Sequence, residues 1–442
     1  MNFLSQASHF LSDPNTLWVL SGTVLLGLSS GVIGSFAFLR KRGLMGDVLA
    51  HAALPGICLA FMLTGSKNPF FFLIGATVTG ILASMAINAI TRFSRIKEDT
   101  ALALVLSVFF GVGIVFLTQI QHTNYGNQSG LDKFLFGQSA SLVGDDVWVM
   151  GGVAIALLLF SLLFFKEFKL LCFDPGFGRS LGFPVGMLDL VLMLMLVVAV
   201  VIGLQAAGVV LMAALIITPA AAARYWTERL DRMLVLSALL GGMSGALGTL
   251  FSATTANLPT GPLIVVAATV VFLISLIFSP RRGLLAKAVR LARMRKQAAR
   301  ERVLHSLYEN REQGGSGELD TETILQKYPI PRRRLKSALA SLMRDGWIQV
   351  CKRNGAFRIR GTEEGWIQAY ETVLRTRMTE VWMMHENEIG GNLREEGTGS
   401  VTGEIPPDLF EPLWNLLVKH GREPKWKPDA GSIPAGEGGI TP

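Results

Sequence analysis

Charge is scarce in the first 280 residues of this 442-residue chain, and the scarcity limits what the chain can be. No stretch matches GxxxxGK[ST]. Gly65-Ser66-Lys67 lacks the upstream glycine and the strand–loop–helix setting, so the chain has no phosphate cradle of its own and any ATP-driven work must use a separate polypeptide. The three cysteines, Cys58, Cys172 and Cys351, lie far apart, which argues against a disulfide framework or a CxxC zinc site and for packing thiols. Acidic residues inside apolar stretches are essentially Asp47 and Asp189. Proton relays across a bilayer ordinarily use more, which weighs against ion-gradient coupling.

What is abundant is apolar sequence, with 50% hydrophobic residues and a mean hydropathy of +0.43. Apolar segments recur near 17–39, 46–64, 69–90, 100–118, 147–165, 186–204, 206–224, 233–252 and 262–279, most of them near bilayer-crossing length. The first is longer than a signal-peptide core and lacks a preceding basic region, so it is read as a retained span. Basic clusters at Arg40-Lys41-Arg42, Arg92 to Lys97, Lys166 to Arg179, Arg224 to Arg232 and Arg281-Arg282 fall at alternate junctions. The positive-inside rule then puts the chain start outside the cell and the C-terminal region inside, if every segment crosses. Almost nothing separates 186–204 from 206–224, so one of them could be short or re-entrant, and eight to nine spans are expected. Small residues, as in Gly27 to Gly34 and Gly241-Gly242-Met243-Ser244-Gly245, suit close helix packing in lipid.

Asp47 and His51 stand four apart in a nearly charge-free stretch, so they share a helix face where a carboxylate and an imidazole could meet one cation. That donor set suits Mn, Fe or Zn better than Ca or Mg. Two ligands do not close a site; a second subunit, water or another helix would complete it. The plainer alternative is that Asp47 caps the helix start beside Arg42 and His51 is a buried, hydrogen-bonded histidine.

Between two spans, Asp174-Pro175 opens a stubby helix that Gly182-Phe183-Pro184 ends, an exposed element able to fill a groove on a soluble partner or simply to connect. After Ser279, residues 281–300 hold eight Lys or Arg and no acidic residue, a helix suited to anionic lipid. Gln313 to Gly317 breaks it. Thr321–Tyr328 and Pro331–Asp345 then read as helices, followed by a two-stranded hairpin of Trp347–Lys352 and Phe357–Arg360 turned at Asn354-Gly355. This is a winged-helix pattern. Its second helix carries Arg332, Arg333, Arg334 and Lys336, the candidate nucleic-acid contacts, although a basic face by itself supports only nonspecific phosphate binding. His385 and Glu386 are adjacent and would point apart on a helix, a weak ligand pair. The fold class expected is an all-α polytopic membrane protein with a C-terminal cytoplasmic winged-helix (α+β) domain. Its parts are an N-terminal segment (1–16), the membrane domain (17–282), a basic helix and linker (283–319), the winged helix (320–361) and a partly disordered C-terminal region (362–442).

Residues 17–282 resemble the permease subunit of the manganese, zinc and iron family of bacterial ABC transporters. The resemblance rests on Gly46-Asp47, His51-Ala52, Leu54-Pro55-Gly56, Ile96 to Ala101, Leu135-Phe136-Gly137, Phe173-Asp174-Pro175 with Leu181-Gly182, Pro219-Ala220-Ala221 and Pro259 to Pro262. It implies an importer in the bacterial cell membrane. Two permeases, identical or paralogous, would form the pathway, separate ATPases would drive it, and an extracellular metal-binding lipoprotein would deliver the ion. Asp47 and His51 would then handle transported metal, with manganese preferred and zinc or iron open, and no cofactor would be held permanently. Asp174, Pro175, Arg179, Leu181 and Gly182 would match the element that docks on the ATPase. The tail resembles the diphtheria toxin repressor family through Gly361 to Ala369 and through Pro424 to Pro434, which resembles the end of that family's dimerisation domain. It departs from that family at Thr376 to Glu380 and at Pro428-Asp429-Ala430-Gly431, where metal-binding histidines are missing. The tail is therefore not expected to sense metal through that family's usual site; lipid and protein, within reach of its basic face, are preferred to nucleic acid as partners, and a membrane-tethered transcription regulator and an ion-gradient-driven metal transporter are the alternative readings.

Overall fold

The computed structural model describes residues 14–65, 69–122, 144–254, 258–353, 356–385, 405 and 407–428. The motif at 135–137, the Asn354-Gly355 turn, Glu386 and residues 429–431 lie outside the described residues. The chain divides into two compact units, Met1–Ala286 and Lys287–Pro442.

In the first unit the helices are α1 (Pro14–Leu39), α2 (Met45–Thr64), α3 (Pro69–Phe93), α4 (Glu98–His122), α5 (Gly144–Leu163), α6 (Phe165–Phe173), α7 (Pro175–Ser180), α8 (Val185–Ala207), α9 (Val209–Trp226), α10 (Leu230–Ala253) and α11 (Thr260–Phe278). Among the described residues, seven helices are long and apolar enough to cross a membrane, or eight if the pair α5 and α6, bent by 68°, is one span. The expected range was eight to nine. α9 stands outside that count as an 18-residue helix with Pro219 inside it, separated from α8 only by Gly208 at φ +77°. α6 was not anticipated, because its lysines and glutamate, Lys166, Glu167 and Lys169, read as a loop; its apolar side buries Phe168 and Leu171 instead.

The helices approach closely through small residues. A methyl added at Gly27 would collide with the carbonyl of Gly241, and one at Gly241 with the carbonyl of Gly27. Hydroxyls along the same seam join the helices: Ser237 Oγ donates to the Gly31 carbonyl at 2.5 Å, and the Thr23 and Thr249 hydroxyls meet at 2.8 Å. Since lipid is as apolar as the side chains, these contacts supply the helix association that a hydrophobic drive would supply in water. Gly56 of α2 and Gly75 of α3 make a second reciprocal approach.

The second unit contains most of α12 (Leu284–Glu312), followed by β1 (Glu318–Asp320), α13 (Thr321–Lys327), α14 (Arg332–Arg344), β2 (Ile348–Arg353), β3 (Ala356–Gly361), α15 (Glu363–Met384) and α16 (Pro407–Lys419). The sheet is antiparallel, in the order β1-β3-β2, with Ile359 opposite both Leu319 and Val350. The expected two-stranded hairpin is thus a three-stranded sheet. β1, only three residues long, is too short to carry an alternation signal. α14 buries Leu335, Ala338, Leu339 and Leu342, a helical stripe, against Val303, Leu307 and Tyr308 of α12 in one core. The segment after α16 is fastened to α12: Tyr308 Oη donates to the Trp426 carbonyl at 2.5 Å, Lys425 N–H donates to Glu312 at 2.8 Å, and Arg377 forks onto Glu312 at 2.6 and 3.0 Å. Burial opposes the Glu312 charge, but Arg377 and the Lys425 amide outweigh it and hold its carboxyl below the ordinary range.

Gly27→Leu should lower the thermal midpoint of the detergent-solubilised protein by several degrees through overpacking that costs on the order of 1–3 kcal/mol. Gly152→Leu, where an added methyl meets nothing within 4 Å, should leave it unchanged, and differential scanning fluorimetry distinguishes the two. Because the folded-state pKa of Glu312 is depressed, its contribution is complete above the ordinary value of 4.5 and is lost as pH falls through the folded value. Acid titration followed by tryptophan fluorescence should therefore lose one acid-labile component in Glu312→Gln.

Candidate functional site

α2 begins immediately after the basic turn that ends α1, and Leu44 occupies its N-cap position with no side-chain cap. Asp47 therefore does not cap the helix, and Arg42 turns away from it towards Glu98 and Asp189. One turn along α2, His51 Nε2 lies 3.5 Å from Asp47 Oδ1. The ring stands edge-on to Phe110 of α4, with centroids 4.9 Å apart, and its buried Nδ1 has no hydrogen-bond partner among the described residues. The helix start thus lacks the Asp47 cap that the plainer alternative expects. Pro55, four residues beyond His51, has no N–H to donate to the His51 carbonyl, so the helix ladder misses a rung next to the pair.

Two donors held about 2.0–2.2 Å from one ion, at angles between square and tetrahedral, lie roughly 3.0–3.5 Å apart. The separation of Asp47 Oδ1 from His51 Nε2 falls at the upper edge of that window. Asp47 keeps 40% of its side-chain surface and His51 21%, so an ion could reach both. Among the described residues no cluster of three or more His, Cys, Asp or Glu surrounds them, which leaves a two-donor, open arrangement. An open site of this kind suits transient handling of an ion more than permanent retention.

The short helix α7 is built as its sequence suggests. The Asp174 carboxylate accepts from Phe177 N–H at 2.8 Å, Pro175 takes the first helical position, and Gly182 leaves at φ +83°. Gly178 packs inward against Leu170 and Val185. Phe173, Phe177 and Leu181 are each more than half exposed, and Arg179 is exposed in the last turn. Leu181 and Phe173 belong to the motif read from sequence, whereas Phe177 was not singled out, because a lone aromatic in a loop carries no periodic signal. In α14, Arg332 pairs with Glu322 at 2.9 Å, whereas Arg333, Arg334 and Lys336 are exposed and make no ion pair among the described residues. His385 lies against His420, with ring centroids 5.1 Å apart.

The model of the ABC 3 transport family matches residues 12–279. The chain belongs to that family. Its ABC 3 relatives include the manganese transport system membrane protein MntC of Bacillus subtilis (strain 168), 47% identical over 415 residues that make up 94% of each chain. The zinc transport system membrane protein TroC of Treponema pallidum (strain Nichols) is 42% identical over 277 residues, 63% of this chain and 93% of that protein. The second unit is therefore largely shared with the first relative and lies mostly outside the match to the second. Among solved structures, PsaBC from Streptococcus pneumoniae in complex with Fab is 32% identical with a TM-score of 0.58, covering 65% of this chain and all of that one. As an ABC 3 member with many apolar helices, the chain is a multi-pass membrane transport protein.

Since Asp174 is the cap of α7, Asp174→Ala should cost about 1 kcal/mol locally and mix unfolding of α7 with any loss of partner binding. Phe177→Ser with Leu181→Ser changes the exposed apolar face and leaves the cap in place. It should leave the amount of folded protein recovered after detergent extraction unchanged, as size-exclusion chromatography measures, whereas Asp174→Ala should lower it.

Proposed function

We propose that the chain is the permease subunit of an ATP-driven importer of a divalent transition metal, manganese before zinc or iron. It forms the pathway with a second permease, either a copy of itself or a paralogue. The 3.5 Å approach of Asp47 and His51, with an imidazole nitrogen unpartnered among the described residues, carries this reading. Manganese is preferred because MntC, similar over 94% of this chain, is named as a manganese transport protein, while TroC, named for zinc, keeps that ion open. A carboxylate and an imidazole alone do not choose among neighbouring divalent ions.

With α9 taken as a further crossing between α8 and α10, the alternation of basic clusters supports an orientation in which the 40–44 turn, α6, α7 and the second unit face the cytoplasm. α2 then rises from the cytoplasmic side, and His51, six residues from its start, sits roughly 9 Å along the helix axis. The exposed Phe177 and Leu181 form the contact for a separate ATPase. When the ATPases close, α6 and α7 move and switch the Asp47/His51 pair from outside to inside access, with metal released because its affinity differs between the two states. The order α12, β1, α13, α14, β2, β3 supports a winged-helix reading of the second unit. Its role is assembly or regulation of the importer from the cytoplasmic side. Lys287 to Lys296 lie against anionic lipid, and Arg333, Arg334 and Lys336 meet protein or lipid ahead of nucleic acid. An extracellular metal-binding lipoprotein delivers the ion.

Cells expressing the chain with its ATPase and binding protein should take up radiolabelled manganese. Asp47→Asn with His51→Ala should cut uptake at least tenfold with membrane insertion unchanged. Normal uptake by that variant would remove the site, and competition by zinc and iron would rank the metals.

A further inference from the structure

Of the two carboxylates buried in apolar sequence, Asp189 has no part in the metal site, yet it is the more heavily partnered. It lies at the start of α8, where its Oδ1 accepts from Arg40 Nη2 at 2.8 Å and its Oδ2 stands 3.0 Å from Arg42 Nη1. Both arginines come from the turn between α1 and α2. That turn is closed by Arg40 N–H onto the Phe36 carbonyl and Arg42 N–H onto the Ala37 carbonyl. Lys41, between them, takes φ +59°, a left-handed conformation that non-glycine residues seldom adopt. The strained residue lets two arginines only two positions apart converge on one carboxylate.

Each guanidinium also reaches a further element. Arg40 Nη1 donates to the Leu171 carbonyl near the end of α6 at 3.2 Å, three residues before Asp174. Arg42 Nε lies 3.5 Å from Glu98 Oε1 at the start of α4, the helix that carries Phe110 against His51. The side chains of Arg40, Arg42 and Asp189 are 20%, 14% and 19% exposed, so none can part from the others without leaving a poorly solvated charge. Asp47 follows Arg42 by five residues. The end of α6, the starts of α4 and α8 and the approach to the metal-pair helix therefore meet at one cluster of charged contacts, in which Arg40 makes charge-assisted hydrogen bonds and Arg42 makes ion pairs.

We propose that the Arg40–Asp189–Arg42 node is the transmission contact of the transporter. It makes the α6–α7 element, α8 and the turn leading into α2 move as one body, so that displacement at α7 reaches Asp47 and His51. These three are positioning residues that touch no metal. The inference rests on the reading of α7 as the ATPase contact. A merely neutralising ion pair would need one arginine and no bond to the Leu171 carbonyl; the node has two arginines and that bond.

The test uses the complete complex, permease with ATPase and binding protein, reconstituted in liposomes, and measures manganese imported per ATP hydrolysed for wild type, Asp189→Asn and Arg40→Lys. Lysine keeps the charge but lacks the planar fork that spans Asp189 and the Leu171 carbonyl together. The expected result is that the variants assemble and hydrolyse ATP while import per ATP falls at least tenfold for Asp189→Asn and at least threefold for Arg40→Lys. Manganese binding to the assembled complexes should stay within threefold of wild type. An unchanged import-to-hydrolysis ratio in either variant, or import and hydrolysis falling in proportion, would overturn the proposal. Should Asp189→Asn fail to assemble, Arg40→Lys decides by the same criteria. A wild-type complex with no ATP-dependent import would instead overturn the importer reading, and this inference with it.

Discussion

A carboxylate placed among apolar helices must find a partner, and the membrane unit follows from how its two such residues do so. Asp189 meets two guanidiniums, which carry permanent charge. Asp47 meets a single imidazole 3.5 Å away, a group without a fixed charge. The first arrangement balances the carboxylate with fixed charge; the second does not. On the proposed reading, the same cost of burying charge makes one carboxylate a mechanical fixture and the other a point of ion exchange.

Around these two points the packing is close because the helices have little else to hold them together. The reciprocal approaches of Gly27 with Gly241 and Gly56 with Gly75 bring backbones into contact, and Ser237 and Thr23 add hydrogen bonds across the α1–α10 seam. α2 is packed against α3 at Gly56, close to Pro55, where the ladder misses its rung to the His51 carbonyl. The soluble unit follows different physics: a water-driven core on α12 and α14, and a C-terminal segment tied down by Arg377, Glu312 and Tyr308.

Features with a strong local cause were legible in the sequence. Asp174-Pro175 and Gly182 marked α7 because capping and left-handed φ are properties of single residues, and Asp47 and His51 marked one helix face because four residues make one turn. α6 and β1 were missed for lack of a usable period, one being short and charge-bearing and the other three residues long. The span count was ambiguous around Gly208, where two apolar helices abut and composition alone does not locate the break. The Arg40–Asp189 contact, between residues 149 apart, has no local signal. Asp189 could be flagged as costly, but its partners became visible only in three dimensions.

On the proposed reading Asp47 and His51 ligate the transported ion, and electron paramagnetic resonance of the purified complex loaded with manganese reads such ligation out. Pulsed spectra should contain a nitrogen hyperfine coupling from imidazole that vanishes in His51→Ala and persists in His122→Ala. A coupling that survives in His51→Ala, with manganese still bound, would contradict the account.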